Sequence, residues 1–256
     1  MITLASDFGT PYPAAMKGAI LDRCDARLVD IAHDFPRQDV RTAAFWLREI
    51  LPEFPPAVHL VVVDPGVGTD RAALVVRAGD HALVGPDNGV LIPAARALTS
   101  TDLEVFELSV DDPASTTFHG RDVFAPAAAD VHVEGVDGLH RIEQLSPVET
   151  CEAVRFPDPT VGDGRASGEV LVVDDFGNAI TNVPGSVVDG LDRLVVDGAS
   201  VPVVRSYAHV DVGTRVVTVG SHGNVECAVN RGRGDEAFDL SVGDPVEFRW
   251  TNAPGE

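Results

Sequence analysis

Hydrophobic and polar positions follow two different patterns along this chain, and the change comes past its middle. Up to about residue 145, short apolar runs alternate with helical segments, which is typical of an α/β domain with a mostly parallel sheet between helices. The predicted strands are ITLAS, ARLVDIA, VHLVVVD, ALVVRA and HALVGP. The predicted helices cover residues 13–23, 40–51 and 121–132, the first of them opening on a proline.

After about residue 150 the helical pattern ends, and turn residues separate short β-rich runs. These runs are EVLVVDDFGNAITNV, RLVVDG, TRVVTVGS, VECAVN and PVEFRW. They predict a second, all-β domain. A stretch rich in proline, glycine and acids separates the two patterns. We therefore predict an α/β domain over residues 1–148, a linker over 149–166 and a β domain over 167–256.

Composition narrows the function classes. The net charge is −21, from 40 acidic residues against 19 basic ones, of which only Lys17 is a lysine. Such a surface repels phosphate backbones, so a nucleic-acid partner is not expected. Acidic chains that have almost lost lysine are typical of a salt-rich cytoplasm, where cations screen the carboxylates. We therefore expect a halophilic protein whose fold loosens in low salt.

Three cysteines, at positions 24, 151 and 227, are widely spaced and form no CxxC. This spacing indicates neither a disulfide framework nor a thiolate zinc site, and we expect core thiols. The chain has no long apolar run and opens on MITLASDFGT without a basic leader, so we expect a cytoplasmic protein with no membrane partner.

The first candidate residue is Asp7, which follows the first predicted strand in SDFGT. Ligands of open α/β sheets bind beyond the carboxyl ends of the strands, where an acid can accept hydrogen bonds from both hydroxyls of a ribose. The alternative is an acid that caps the next turn or helix. No GxGxxG is present, which disfavours a dinucleotide site.

The second candidate is the loop DPGVGTDR, with Asp64 at one end and Arg71 at the other. Its two glycines allow the loop to fold back, so that the carboxylate meets the guanidinium. The alternative is a structural ion pair that closes a turn. A phosphate-binding P-loop is disfavoured because GxxxxGK[ST] is absent.

Two further motifs contain candidate residues. In FHGRDVFAP, His119 precedes a predicted helix, whose positive end favours the neutral imidazole over the imidazolium. In DDFGNAITN, Asp174, Phe176 and Asn178 lie at a predicted turn, where the ring can stack on a base and the amide can pair with an adenine edge. For His119 the alternative is an unpaired histidine with a structural role. For the turn residues the alternative is the ordinary preference of Asp, Gly and Asn for turns.

Seven motifs, spread in order over nearly the whole chain, resemble those of the S-adenosylmethionine hydroxide adenosyltransferases, relatives of the fluorinating and chlorinating enzymes that act on the same substrate. They are SDFGT, DIAHDFPRQDV, VVVDPGVGTDR, LVGPDNGVL, TFHGRDVFAP, VVDDFGNAITN and GSHGNVECAVNRG. The resemblance implies an N-terminal α/β domain, a barrel-like C-terminal domain, and a homotrimer or a pair of trimers. Each substrate would lie between domains of neighbouring subunits.

The resemblance also implies roles for single residues. The catalytic set falls on Asp64, Arg71 and His119. Asp7 would hold the ribose hydroxyls and Asp174 the methionine amino group. The remaining implied contacts are Phe176 and Asn178 with the adenine, Ser221 with the methionine carboxylate, and Glu226 as a further polar contact. His222, beside Ser221, departs from the expected pattern and receives no role.

The activity implied is hydrolysis of S-adenosylmethionine to adenosine and L-methionine, with no cofactor and no metal. Either Asp64 or His119 could take the proton from water, and the sequence does not distinguish them. Two alternatives remain open. One is a halide-using adenosyltransferase, which the presence of all three catalytic residues disfavours. The other is a protein that binds adenosine or S-adenosylmethionine without turnover.

Overall fold

The computed structural model describes residues 1–110 and 117–251. The chain forms two compact units, Met1–Arg155 and Phe156–Glu256. The domain limits drawn from the sequence patterns stay a prediction.

The first unit contains a seven-stranded sheet in the order β2-β1-β3-β5-β4-β6-β7. Its strands are β1 (Ile2–Ser6), β2 (Leu28–Ala32), β3 (Val58–Val62), β4 (Ala73–Ala78), β5 (His81–Pro86), β6 (Glu104–Leu108) and β7 (Leu145–Pro147). The four strands β2, β1, β3 and β5 are parallel, and β4, β6 and β7 extend the sheet in antiparallel pairings. The predicted α/β class is confirmed, with a mixed sheet.

The sheet becomes antiparallel because β4 and β5 form a hairpin. Ala78 pairs with His81, leaving a two-residue connection of the kind that joins antiparallel neighbours. Every residue of β1, β3 and β5 is buried, as expected for central strands covered on both faces.

Four helices belong to this unit: α1 (Tyr12–Leu21), α2 (Val40–Ile50), α3 (Leu91–Leu98) and α4 (Ala125–Glu134). At the start of α2, the Asp39 carboxylate accepts hydrogen bonds from the Thr42 backbone N–H at 2.9 Å and its hydroxyl at 2.6 Å. A single π-helical turn, Gly120–Phe124, precedes α4. The pattern had predicted one helix from residue 121, and α3 was not predicted.

The parallel strands bring two candidate acids to one edge of the sheet. Ser6, the last residue of β1, pairs with Val62, the last residue of β3. Asp7 follows the first of these strands directly, and Asp64 follows the second after one residue. Both acids therefore emerge at the carboxyl ends of neighbouring strands, where ligands of such sheets bind.

The second unit is an eight-stranded antiparallel sheet in the order β12-β11-β15-β9-β10-β14-β13, with β8 beside β9. Its strands are β8 (Thr160–Gly162), β9 (Arg165–Val173), β10 (Ala179–Pro184), β11 (Arg193–Val196), β12 (Ala199–Pro202), β13 (Arg215–Val219), β14 (Asn224–Val229) and β15 (Pro245–Arg249). A short helix, α5 (Gly234–Phe238), follows β14.

This sheet curls into a nearly closed barrel. A bridge between Val203 and Val217 joins the end that carries β12 to the end that carries β13. Inside lie buried apolar side chains from most strands, including Val170, Leu194 and Phe248. The all-β, barrel-like expectation is confirmed. Within the two described stretches, no helix is long and apolar enough to cross a membrane.

A buried pair of histidines lies in the sheet of the first unit. His59 Nδ1 is 2.8 Å from Thr3 Oγ1, and its Nε2 is 2.9 Å from His81 Nδ1. The two rings stack with their centroids 5.2 Å apart. Burial, assisted by the neighbouring His81, lowers the pKa of His59 from 6.5 to about 3. The folded protein therefore holds this ring uncharged at neutral pH.

We predict that His59 makes the first unit sensitive to acid. At pH values between the unfolded pKa near 6.5 and the folded pKa near 3, the unfolded chain binds more protons than the folded one. The stability that the uncharged His59 contributes is therefore complete above pH 6.5 and is lost as pH falls. Between about pH 7.5 and about pH 5, the wild-type protein should lose about 2 kcal/mol more unfolding free energy than a variant with glutamine at this position (His59→Gln). Denaturant titration at both pH values measures this.

His140→Gln provides the control, since His140 is exposed. An identical loss of stability in wild type and His59→Gln would contradict the prediction.

Candidate active site

The loop between β3 and β4 is folded by its own hydrogen bonds. The Gly66 N–H donates to Asp64 Oδ1 at 3.2 Å, and the Thr69 hydroxyl donates to the Gly66 carbonyl at 2.7 Å. The Val67 N–H donates to the Asp64 carbonyl at 3.3 Å. This turn returns the chain so that Arg71 faces Asp64, as the spacing of the motif predicted.

Asp64 and Arg71 form a buried ion pair. Arg71 Nη2 donates to Asp64 Oδ2, and the side chains are 10% and 3% exposed for Arg71 and Asp64 respectively. Arg71 Nη1 donates to the Ala72 carbonyl at 2.6 Å, and the guanidinium carbon lies 5.2 Å from the centre of the Phe124 ring. Its Nε is buried with no hydrogen-bond partner among the described residues.

Burial has the largest effect on Asp64 and raises the pKa of its carboxyl group. The charge and hydrogen bond of Arg71, the Gly66 N–H and His119 act in the opposite direction. A carboxylate that is dehydrated yet kept ionised by a fixed guanidinium is a stronger proton acceptor than one in water.

Asp64 and His119 line the same cavity, which has a volume of about 470 Å³. His119 comes directly before the π-helical turn, and Gly120 follows it in the cavity wall. Arg71 is not part of this wall and acts on the cavity through Asp64. The structure thus brings the three predicted catalytic residues together, two in the wall and one behind the carboxylate.

Three aromatic side chains that the sequence analysis did not single out line this cavity: Phe8, Tyr12 and Phe118. Their rings meet edge to face, with centroids 5.5 to 6.1 Å apart. Phe8 and Phe118 stand beside Asp7 and His119 in two of the motifs, and that adjacency was the available signal. The cavity therefore combines two proton-accepting groups with an apolar, aromatic wall.

Asp7 lies outside the lining of this cavity. It is 9% exposed, and its Oδ2 accepts the Gln38 backbone N–H at 2.7 Å. The contact is neither a helix cap nor an ion pair.

All five predicted residues of the second unit line one cavity of about 910 Å³. They are Asp174, Phe176, Asn178, Ser221 and Glu226. Phe176 is 80% exposed, an unusual degree for an aromatic ring and one that leaves its face available for stacking.

The turn between β9 and β10 fixes two of these residues against each other. Asp174 Oδ1 accepts the Asn178 backbone N–H at 2.8 Å, and Oδ2 accepts Asn178 Nδ2 at 2.9 Å. Gly177 sits between them with a φ of +85°, and a Cβ there would lie 2.8 Å from Arg233. The sequence predicted this turn, and in the structure the hydrogen bonds that close the turn also orient the side chains of Asp174 and Asn178.

Glu226 is held by a neighbouring histidine. His222 Nε2 lies 3.0 Å from Glu226 Oε1, and both side chains are buried. Burial, reinforced by the charges of Glu226 and Asp174, raises the pKa of Tyr207. The imidazole without an assigned role thus holds the carboxylate in place.

Tyr207, Arg205 and Arg231 also line this cavity and were not predicted. Arg231 lies within the last of the seven motifs, whereas nothing in the pattern marked Tyr207 or Arg205. With carboxylates and guanidinium groups in one cavity, the surroundings suit a ligand that carries both an amino and a carboxylate group.

In the two described stretches, no three His, Cys, Asp or Glu side chains are grouped as metal ligands.

Comparison with known proteins identifies the class. The model of the SAM hydroxide adenosyltransferase N-terminal domain matches residues 2–142, and that of the C-terminal domain matches residues 168–247. The chain therefore belongs to the S-adenosylmethionine hydroxide adenosyltransferase family, as its motifs predicted.

Relatives and solved structures agree with this assignment. The chain is 40% identical to an (R)-S-adenosyl-L-methionine hydrolase of Salinispora tropica, covering 95% of each protein. It is 42% identical to one of the same description from Thermus thermophilus, covering 95% of this chain and 97% of the relative. A crystal structure of an uncharacterised conserved protein from Thermotoga maritima superposes with a TM-score of 0.83 at 32% identity, covering 97% of this chain and all of that one.

We predict that Gly220 is required for the arrangement of the second cavity. A Cβ there would lie 2.0 Å from Glu226 Oε1 and 2.6 Å from His222 Nε2. Gly220→Ala should therefore displace both side chains and cost about 1–3 kcal/mol of unfolding free energy. In Gly162→Ala, the matched control, the added methyl meets nothing within 4 Å. Equal unfolding midpoints for the two variants in denaturant would contradict the prediction.

Proposed function

We propose that this chain hydrolyses S-adenosyl-L-methionine to adenosine and L-methionine. The observation that carries the proposal is the cavity lined by Asp64 and His119, with Arg71 fixed behind the carboxylate. Family membership and the similarity to the (R)-S-adenosyl-L-methionine hydrolases of Salinispora tropica and Thermus thermophilus support the choice of substrate.

The chemistry needs help on one side of the reacting carbon only. The sulfonium leaves as a neutral thioether, so no acid is required for the leaving group. Water is a weak nucleophile, and the protein must hold one oxygen in line with the carbon–sulfur bond and accept its proton. Holding reactants in line lowers a barrier by about 7–11 kcal/mol in favourable cases, so positioning is a large part of the effect.

Asp64 or His119 accepts the proton, and Arg71 keeps the carboxylate ionised and oriented. Dehydration of Asp64 strengthens it as a base, and the guanidinium prevents that same dehydration from neutralising it. The buried Arg71 Nε, which lacks an acceptor among the described residues, is an N–H that a bound water can satisfy.

The remaining assignments concern binding. Asp7 holds the ribose hydroxyls and Asp174 the methionine amino group. Phe176 stacks on the adenine while Asn178 pairs with its edge. Ser221 contacts the methionine carboxylate, and Glu226 is a further polar contact. That Asp174, Phe176, Asn178, Ser221 and Glu226 line one cavity supports the assignments in the second unit.

The assembly is a homotrimer, alone or paired, in which each substrate contacts the N-terminal domain of one subunit and the C-terminal domain of its neighbour. We further propose that the protein works in the cytoplasm and requires neither a cofactor nor a metal.

Turnover in water enriched in heavy oxygen tests the reaction. One heavy oxygen should appear in the 5′ hydroxyl of adenosine, and methionine should stay unlabelled, because water attacks the ribose carbon. Mass spectrometry of the products measures this. Parallel reactions with added chloride or fluoride distinguish the halide-using alternative, in which a 5′-halogenated nucleoside replaces adenosine. Tight adenosine binding without methionine release would instead indicate a binding protein.

We predict that Arg71 sets the acidic limb of the pH profile. Asp64 must be ionised for turnover, so activity falls as pH drops through its raised pKa. Arg71→Gln removes the main effect that opposes burial, so the limb should move to higher pH and the maximal rate should fall by about tenfold or more. Initial rates of methionine release measured across pH test this.

Arg77→Gln is the control, because Arg77 pairs with Glu104 and Asp137 away from the cavity. A limb that stays in place or moves to lower pH in Arg71→Gln would contradict the prediction. Asp64→Asn and His119→Asn complete the series: Asp64→Asn should remove the limb, whereas His119→Asn should keep it.

A further inference from the structure

A chain of hydrogen bonds crosses the sheet edge next to Asp7. His33, directly after β2, has its Nδ1 2.8 Å from Ser6 Oγ and its Nε2 3.0 Å from Asp30 Oδ1. Lys17 Nζ donates to the other oxygen of Asp30 at 2.6 Å. The motif DIAHDFPRQDV, which contains His33, has no part in the catalytic and binding roles assigned above.

The chemistry of the partners sets the directions of these bonds. A carboxylate only accepts, so His33 Nε2 donates to Asp30. In the neutral ring Nδ1 then accepts, and the Ser6 hydroxyl donates to it. Asp30, oriented by Lys17, therefore fixes the tautomer of His33, and His33 fixes the hydroxyl of Ser6.

A serine, a histidine and a carboxylate in this order also occur in nucleophilic catalysis. Ser6, however, has no exposed surface, since it is the last residue of a buried strand. No substrate carbon can reach its hydroxyl, so the chain of bonds has a different purpose.

What these bonds hold is the segment that contains Asp7. Ser6 precedes Asp7, and the Gly9 N–H beyond it donates to the His33 carbonyl at 2.6 Å. His33 thus ties the chain on both sides of Asp7. The Asp7 carboxylate itself accepts the Gln38 N–H. Gln38 has a φ of +63°, a backbone conformation that residues other than glycine rarely adopt.

We propose that His33 is a positioning residue that acts through Ser6 to aim the Asp7 carboxylate at the two ribose hydroxyls of the substrate. The inference rests on the proposed function, which assigns the ribose to Asp7. It adds that recognition of the diol depends on the bonds linking Lys17, Asp30, His33 and Ser6 as well as on Asp7.

Two nucleosides that differ only in the groups Asp7 would hold provide the test. Calorimetry gives the affinity of the full-length protein for adenosine and for 2′,3′-dideoxyadenosine, and it requires no turnover. Ser6→Ala and His33→Ala should weaken adenosine binding about tenfold and change dideoxyadenosine binding less than about twofold, since the dideoxy ring offers Asp7 nothing to bind. His140→Ala, at an exposed histidine, should change neither affinity.

Ser6→Ala removes a single oxygen, so this variant keeps the test available if His33→Ala fails to fold. Equal weakening of both nucleosides in Ser6→Ala would show a general structural role and overturn the inference, as would unchanged binding of both. In these two cases a wild-type preference for adenosine leaves the proposed function standing. A wild type that binds the two nucleosides equally would overturn both the inference and the ribose assignment.

Discussion

The first unit's site depends on the buried ion pair between Asp64 and Arg71. Removing a carboxylate from water raises the free energy of its charged form, and without Arg71 the buried Asp64 would bind a proton more readily. A guanidinium fixed by a carbonyl and an aromatic ring restores the charge without restoring the water. The seven-residue return of the loop, closed by its own hydrogen bonds, makes this contact possible. The sheet, the loop and the cavity wall therefore all help to position this ion pair.

Much of the fold could be predicted from the sequence, because its central strands are buried apolar runs of unmistakable length. All five strands predicted for the first unit are present. The helix α3 was missed because Leu91–Leu98 follows a strand with only a four-residue turn, residues 87–90, between them, so its apolar residues merge with those of the strand. The π-helical turn before α4 was not predictable either, since nothing in the local pattern separates it from an ordinary helical turn.

The candidate site, like the fold, could be predicted only in part from the sequence. Asp64 and Arg71 could be paired from the sequence because both lie in one short loop whose glycines imply a reversal. Tyr12 and Tyr207 could not be found in this way, because each reaches its cavity from an element with no polar motif of its own. Contacts that depend on packing between distant segments, such as Ser6 with His33, leave no local signature. The order of the motifs predicted the substrate class, whereas the contacts between side chains from distant segments became visible only in the structure.

Strand alternation in β14 has a consequence for chemical self-damage. Glu226 faces the second cavity, and the next residue, Cys227, points into the barrel core. Burial raises the pKa of that thiol far above its usual range, so it stays protonated. S-adenosylmethionine is an alkylating agent, and thiolates are the protein groups that such agents modify most readily. One residue away from the wall of this cavity, the fold keeps the sulfur of Cys227 both uncharged and buried.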